Sequence, residues 1–309
     1  MKLLFFDDFI PGVLRGDTVV DISRVIADIP HVTPHDWMSG LIAGFSRYRD
    51  RIEEALNASS PGVPVGEVRL RPPLPKPVNL VCMAANFLED AAIKEPKPLN
   101  AFLKSPNCVI GNGDTVVLPP DKADIFHHEA ELALVIGREA ADVKAADAYS
   151  HIFGYVNFID VSARGLHQNS LFIGKSWDSF GPMGPFLVTA DEVPDPQHLP
   201  VKLWVNGELR QDYTTADMGV DIPHTFEWVT SIATLNPGDL LSCGTNHQGL
   251  SALQDGDRVE MEAAGLGRLT VTVRDDLKRE WPRGIDRGTA DRVAGRAKAG
   301  GFGRPTTPA

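Results

Sequence analysis

Short apolar runs separated by turn signals dominate the chain from residue 79 onward, and that rhythm restricts the fold more than any other feature. Asn112-Gly113-Asp114, Asn206-Gly207, Pro237-Gly238-Asp239 and Asp255-Gly256-Asp257 each stand between segments rich in Val, Ile and Leu. Asn, Asp and Gly tolerate the left-handed backbone that tight hairpins demand. The spacing predicts a β-rich α+β domain with a few helices, for example around residues 141–151 and 223–235.

Ahead of that region, residues 1–25 alternate apolar and polar side chains around Pro11-Gly12 and Gly16-Asp17, a pattern for two short strands joined by turns. A helix is expected next. Thr33 suits its cap, Pro34 its first turn, and Asp36 falls three residues after the cap. Trp37, Leu41, Phe45, Ile52 and Leu56 then recur at helical spacing. Six prolines between residues 59 and 77 read as a linker. The division expected is a small N-terminal α/β module over 1–72, a main domain over 73–282, and a tail over 283–309. That last stretch carries six basic and two acidic residues with almost no large apolar side chains, the composition of a disordered segment.

A formal charge of −11 over 309 residues argues against a nucleic-acid footprint, because phosphate binding wants clustered Lys and Arg. It leaves room for a small anionic ligand met by a local cation or a metal. No apolar stretch reaches membrane-spanning length, and the N-terminal run 3–6 is cut off by Asp7 and Asp8. A cytoplasmic protein with no membrane partner is expected. Cys82, Cys108 and Cys243 are too widely spaced for a disulfide framework or a cysteine-type zinc site and read as buried thiols.

Chemistry concentrates in His127-His128-Glu129-Ala130-Glu131-Leu132-Ala133-Leu134-Val135-Ile136-Gly137. As a strand, this segment puts Glu129 and Glu131 on one face with Ala133 and Val135. Two carboxylates on a partly buried face repel each other and lose hydration, so a hard cation with oxygen ligands would compensate them. A strand with one wet end and two solvated glutamates fits the same spacing. Asp160, closing the apolar run Gly154-Tyr155-Val156-Asn157-Phe158-Ile159, adds a third acid. Three carboxylates from two strands suit Mg²⁺ or Mn²⁺ with positions left for water and substrate. Asp160 also fits a helix cap before Ser162.

Glu129-Ala-Glu131, Asp160-Val-Ser-Ala-Arg164 and Gly174-Lys175-Ser176-Trp-Asp178 together resemble the fumarylacetoacetate hydrolase family. The resemblance continues through Gly184-Pro185, Val205-Asn206-Gly207-Glu208, Pro237-Gly238-Asp239 and Gly244-Thr245, in order, over about residues 78–280. It implies a mixed β-sandwich roll, a homodimer, and Mg²⁺ or Mn²⁺ held by Glu129, Glu131 and Asp160. It also implies that Lys175 supports charge on the reacting substrate, with Thr245 near the substrate carboxylate and Arg164 beside the site. The activity implied is hydrolysis of a C–C bond in acylpyruvate-like or other 1,3-diketo or 2-oxo acids, in catabolism of aromatic or related compounds. An isomerase, decarboxylase or hydratase of 2-oxo acids on the same fold, and a degenerate metal-binding or assembly protein, are the alternatives.

The sequence departs from the family where a base is expected. A His–Glu pair usual in Asn-Tyr-x-x-His-x-x-Glu is replaced here by Asp90 and Ile93 in Asn86-Phe87-Leu88-Glu89-Asp90-Ala91-Ala92-Ile93. The Asn usual before the metal-binding Asp is Ile159, and His167 occupies the position of the family glutamine. His247, in Gly244-Thr245-Asn246-His247, is the first candidate to move protons, because imidazole exchanges them near neutral pH. His167 is second, and Asp90 or Glu89, on a charged segment 88–101 expected to act as a lid, is third. Asn246 and His167 are further candidates for substrate contacts. His127 and His128 read as orienters beside the glutamates or as surface histidines. Lys104 reads as a family lysine facing a substrate anion or as a solvated strand end.

Overall fold

The computed structural model describes residues 1–58, 62–166 and 170–296. Its spine is a twelve-stranded sheet. Ala130–Ile136 lies near the middle, antiparallel to Ile152–Ile159 on one side and Leu240–Ser242 on the other. Leu80–Met83 and Ala101–Leu103 complete that edge. Gly181–Thr189 continues beyond Ile152–Ile159 and pairs with Lys2–Phe6, so the N-terminal strands extend the same sheet. Val63–Pro64 and Leu70–Arg71, inside the proline-rich stretch expected as a linker, pair with Thr18–Asp21 and Lys2–Phe6.

A five-stranded sheet packs against this spine, ordered Glu208–Thr214, Pro200–Val205, Arg258–Ala263, Leu269–Arg274 and Thr115–Val117. Asn157 ties the layers together. Its amide NH₂ donates to the Gly184 and Gly267 carbonyls, and its oxygen accepts from the Ala263 N–H. The expected turns sit between strands. At Asn206-Gly207 both residues have positive φ, 53° and 80°, the twist that a two-residue hairpin requires. Among the described residues no helix is long and apolar enough to cross a membrane. All three cysteines are free and buried.

The N-terminal elements differ from expectation in two places. Pro11-Gly12 lies within the strand Ile10–Arg15, and the turn falls earlier, where Asp7 and Phe9 take φ of 47° and 60°. Gly12 is needed in the strand for close packing, since a Cβ there would meet Val19 at 2.8 Å. The single helix expected from Thr33 divides at Gly44 into Pro34–Ala43 and Phe45–Asn57. Its start is as expected: the Asp36 N–H donates to Thr33 Oγ1 at 3.2 Å and the Thr33 N–H to Asp36 Oδ2 at 2.9 Å. The helical elements expected near 141–151 and 223–235 appear as a short 3₁₀ helix Ala145–His151 and an α-helix Ile222–Thr230.

Residues 283–296, expected to begin a disordered tail, instead run along the body as a strap. Arg283 pairs with Asp257, Ile285 bridges to Ser251, and the Asp286 N–H donates to the Leu250 carbonyl. The short helix Gly288–Val293 buries Thr289 and Ala290. Composition missed this because the anchoring contacts are charged and main-chain groups rather than large apolar side chains. Residues 297–309 of the expected tail lie outside the described residues.

Removing the reciprocal cap gives a direct check on the N-terminal helix. Thr33→Ala should lower stability by about 1 kcal/mol, read as a lower urea midpoint at unchanged slope.

Candidate active site

The strand Ala130–Ile136 is buried at every position, so the reading with solvated glutamates fails. Antiparallel pairing sets Ala130 opposite Ile159, and the Asp160 N–H donates to the Glu129 carbonyl at 2.9 Å. The register therefore delivers three acids to one buried corner. One ligand oxygen from each of Glu129, Glu131 and Asp160 lies within 4.8 Å of the others.

Three cations face this corner. Lys175, brought in by the short helix Leu171–Lys175, donates to Glu129 Oε2 at 2.6 Å and Asp160 Oδ2 at 2.7 Å. Arg164 pairs with Glu129 and Lys104 with Asp160. Lys104 is buried, so its reading as a solvated strand end is corrected; the Ser105-Pro106 turn carries it inward. Burial penalises the Glu129 carboxylate, but Lys175 and Arg164 outweigh that and hold its pKa well below the usual range. Burial likewise opposes the Lys175 ammonium, and Asp160 and Glu129 outweigh it and raise its pKa.

Glu131 differs. Among the described residues no ion pair reaches it; it accepts from Ser242 Oγ at 2.5 Å and from the Gly244 N–H at 3.3 Å. Burial and the charges of Asp160 and Glu129 push its pKa well above the usual carboxylate value. Glu131 is thus the one acid of the three that neither a lysine nor the arginine pairs. Three hard oxygen donors in one buried corner, one of them without a paired cation, fit a divalent cation such as Mg²⁺ or Mn²⁺.

A second device stands beside the acids. His247 Nδ1 lies 2.6 Å from Glu89 Oε1, and the His247 N–H donates to Glu89 Oε2 at 2.9 Å. An ionised carboxylate only accepts, so it holds the ring proton on Nδ1 and leaves the lone pair on Nε2. His247 lies close enough to Glu129 to influence its ionisation. Glu89, rather than Asp90, is the acid that meets the imidazole. It is 1% exposed, whereas Asp90 is exposed and accepts from the Asn246 amide at 3.1 Å. The backbone turns the two acids apart: Glu89, Asp90 and Ala91 all have positive φ, between 54° and 61°. Such conformations cost about 1–3 kcal/mol each and persist only where neighbours enforce them.

The remaining candidates fall into place around these devices. Asn246 commits its amide to Asp90 and Asp217, while Thr245 Oγ1 accepts from Gln211. His127 and His128 are both buried, not surface histidines. Burial lowers their pKa values to about 4 and about 3. His127 Nδ1 accepts from Arg164 Nε at 3.4 Å, and its Nε2 lies 2.9 Å from Asp286 Oδ2 on the strap. Lys97, in the expected lid, donates to the Val293 carbonyl of the strap. His167 lies outside the described residues. Gln211 was not singled out in the sequence. Its signal was parity: in Glu208–Thr214 it shares the inward face with Tyr213.

Residues 79–274 match the family model for the fumarylacetoacetate (FAA) hydrolase C-terminal domain. A maleylpyruvate hydrolase of Aquipseudomonas alcaligenes is 31% identical over 291 residues, 89% of this chain and 99% of the relative. An oxaloacetate tautomerase of Bacillus subtilis is 36% identical over 289 residues, 87% of this chain and 89% of the relative. The crystal structure of a maleylpyruvate hydrolase from Sphingobium sp. SYK-6, in complex with manganese(II) and pyruvate, superimposes with a TM-score of 0.82. It is 34% identical and covers 89% of this chain and 99% of that one.

Lys104 tests the charge balance of the corner. Lys104→Met leaves Asp160 short of one buried partner, and breaking a buried pair costs roughly 3–5 kcal/mol. The urea midpoint of the metal-free protein should fall accordingly. An unchanged midpoint would mean that Lys175 alone neutralises Asp160.

Proposed function

We infer the activity from one premise: the chain belongs to the fumarylacetoacetate hydrolase family. It is a divalent-metal-dependent enzyme of small 2-oxo or 1,3-dicarbonyl acids, and hydrolysis of a C–C bond in an acylpyruvate-like substrate is the reading proposed. The observation that carries it is the pairing of two unlike devices: a buried triad of carboxylates, and an imidazole whose proton is fixed by a buried glutamate.

Glu129, Glu131 and Asp160 are the residues that would hold the cation, which when bound supplies Lewis acidity toward the substrate oxygens and stabilises negative charge developing there. Lys175, between Glu129 and Asp160, adds a fixed positive charge to the same region. Arg164 and Thr245 are assigned to the substrate carboxylate. His247 takes up a proton at Nε2 and returns it, while Glu89 holds the ring in the tautomer that makes this possible. In hydrolysis the proton comes from the attacking water and is returned to the carbon leaving group. Asp90 is then a partner of Asn246 rather than a base.

A second reading has a specific observation behind it. The similarity to an oxaloacetate tautomerase favours proton transfer at the carbon next to the keto group, which needs the same cation, lysine and imidazole but no water. Parallel assays of maleylpyruvate cleavage and oxaloacetate keto–enol exchange separate the two. A degenerate assembly protein has no use for an oriented imidazole, so the Glu89–His247 pair counts against it.

Glu131→Ala and Asp160→Ala should each lose Mn²⁺ binding by titration calorimetry while the fold persists; unchanged binding in both sinks the metal assignment. His247→Ala should lower kcat by about 10²–10⁴ with Mn²⁺ binding intact. Glu89→Ala should lower kcat with little change in KM, and Glu89→Gln, which still offers an acceptor to Nδ1, should recover part of it. Full turnover in His247→Ala would move the base elsewhere without touching the triad.

A further inference from the structure

A buried hydrogen-bond chain runs from Ser251 through His128 and Gln211 to Thr245, and its donors and acceptors can be assigned in only one direction. The Ser251 N–H donates to His128 Nε2 at 3.2 Å, so that nitrogen carries the lone pair and the ring proton sits on Nδ1. Nδ1–H donates to Gln211 Oε1 at 3.0 Å, and the Ala130 N–H donates to the same oxygen at 3.1 Å. Two donors on one atom identify it as the amide oxygen. The NH₂ group therefore faces the other way, toward Thr245 Oγ1 at 2.8 Å and the Asn246 carbonyl at 2.8 Å. The carbonyl confirms the assignment, because it can only accept.

Thr245 Oγ1 thus receives a hydrogen bond and must direct its own proton elsewhere. Within the protein two acceptors lie in reach. The Asn246 carbonyl is 3.3 Å away and already accepts from Gln211. The Tyr213 hydroxyl donates its own proton to the Ala130 carbonyl and so keeps a lone pair that accepts from Thr245. Ser251, His128, Gln211 and Thr245 are all 2% exposed or less, so bulk water does not substitute for any link. Thr245 follows Gly244, whose N–H donates to Glu131.

We propose that Gln211 is a positioning residue that keeps the Thr245 hydroxyl a donor, to Tyr213 in the free protein and to the carboxylate of a 2-oxo acid when one is bound, thereby selecting anionic over neutral carbonyl substrates. The proposal rests on the reading that Thr245 meets that carboxylate. A hydroxyl left to itself can accept as readily as it donates. One that already accepts from a buried amide is biased toward presenting its proton, the polarity a carboxylate needs.

The test inverts the polarity. Gln211→Glu keeps an oxygen for His128 and Ala130 but replaces the NH₂ donor with an acceptor, so the Thr245 proton turns away from the ligand. Gln211→Met removes the relay without adding charge, and Thr245→Val removes the donor outright. Oxalate binding to the Mn²⁺-loaded proteins is measured by calorimetry, with Mn²⁺ binding alone as the reference. Thr245→Val and Gln211→Glu should each weaken oxalate roughly tenfold to hundredfold, the size of a lost hydrogen bond to a charged group. Gln211→Met should weaken it less, and Mn²⁺ affinity should change little in Thr245→Val and Gln211→Met. Turnover should show the loss mainly in KM. In a Thr245→Val background, Gln211→Glu should add no further loss. Parental oxalate affinity in both Gln211 variants, with Thr245→Val impaired, overturns the positioning role alone. Parental affinity in Thr245→Val overturns the carboxylate reading of Thr245 and the proposal with it.

Discussion

Burial of three carboxylates at the adjoining ends of two paired strands is the constraint around which the rest of the molecule is arranged. Carboxylates removed from water are strongly destabilising unless compensated. Here the compensation comes from distant parts of the chain: Lys104 after the outer strand, Arg164 on the strand Ser162–Arg164, and Lys175 from a one-turn helix. Each reaches the corner only if the central sheet has its register. A slip of one residue between Ala130–Ile136 and Ile152–Ile159 would send the glutamates to the opposite face and part Asp160 from Glu129. Glu131, the acid that no lysine or arginine pairs among the described residues, is what turns a neutralised cluster into a place for a divalent ion.

Around that corner, order is passed outward by polar groups of fixed polarity. Ser242 and Gly244 hold Glu131 and begin the loop that carries Thr245 and His247. The same loop is gripped from below by Gln211, from the 88–101 segment by Glu89, and from the C-terminal strap through Leu250 and Ser251. The strap lies beyond residue 274, where the family match ends, and touches both the expected lid, through Lys97, and His127. Elements far apart in sequence thus converge on a few side chains at the site, as a preorganised centre demands.

The Glu89–His247 pair shows how folding can bring an imidazole to a carboxylate without a shared sequence motif. From the resemblance, a histidine is expected where this chain has Asp90 and a glutamate where it has Ile93. An imidazole and a carboxylate are nevertheless brought together, from the 244–251 loop and from a run of left-handed residues. Fixing an imidazole in a defined tautomer is a matter of contact, not of sequence spacing.

Much of this protein was legible in its sequence because the signals are local. Strand period, Asn-Gly turns and the Thr33–Asp36 cap act over a few residues, so the β-rich fold could be read directly. The parity of Glu129 and Glu131 and the lone acid after Ile159 were visible in the same way. Tertiary structure decided whatever depends on which surfaces meet. It buried Lys104, chose Glu89 over Asp90 as the partner of His247, broke the first helix at Gly44, and laid residues 283–296 along the body. It also joined the N-terminal strands to the main sheet. The physical reason is the same in each case: desolvation and ion pairing depend on neighbours in space, and a lysine or glutamate carries no local mark of the cavity into which it will fold.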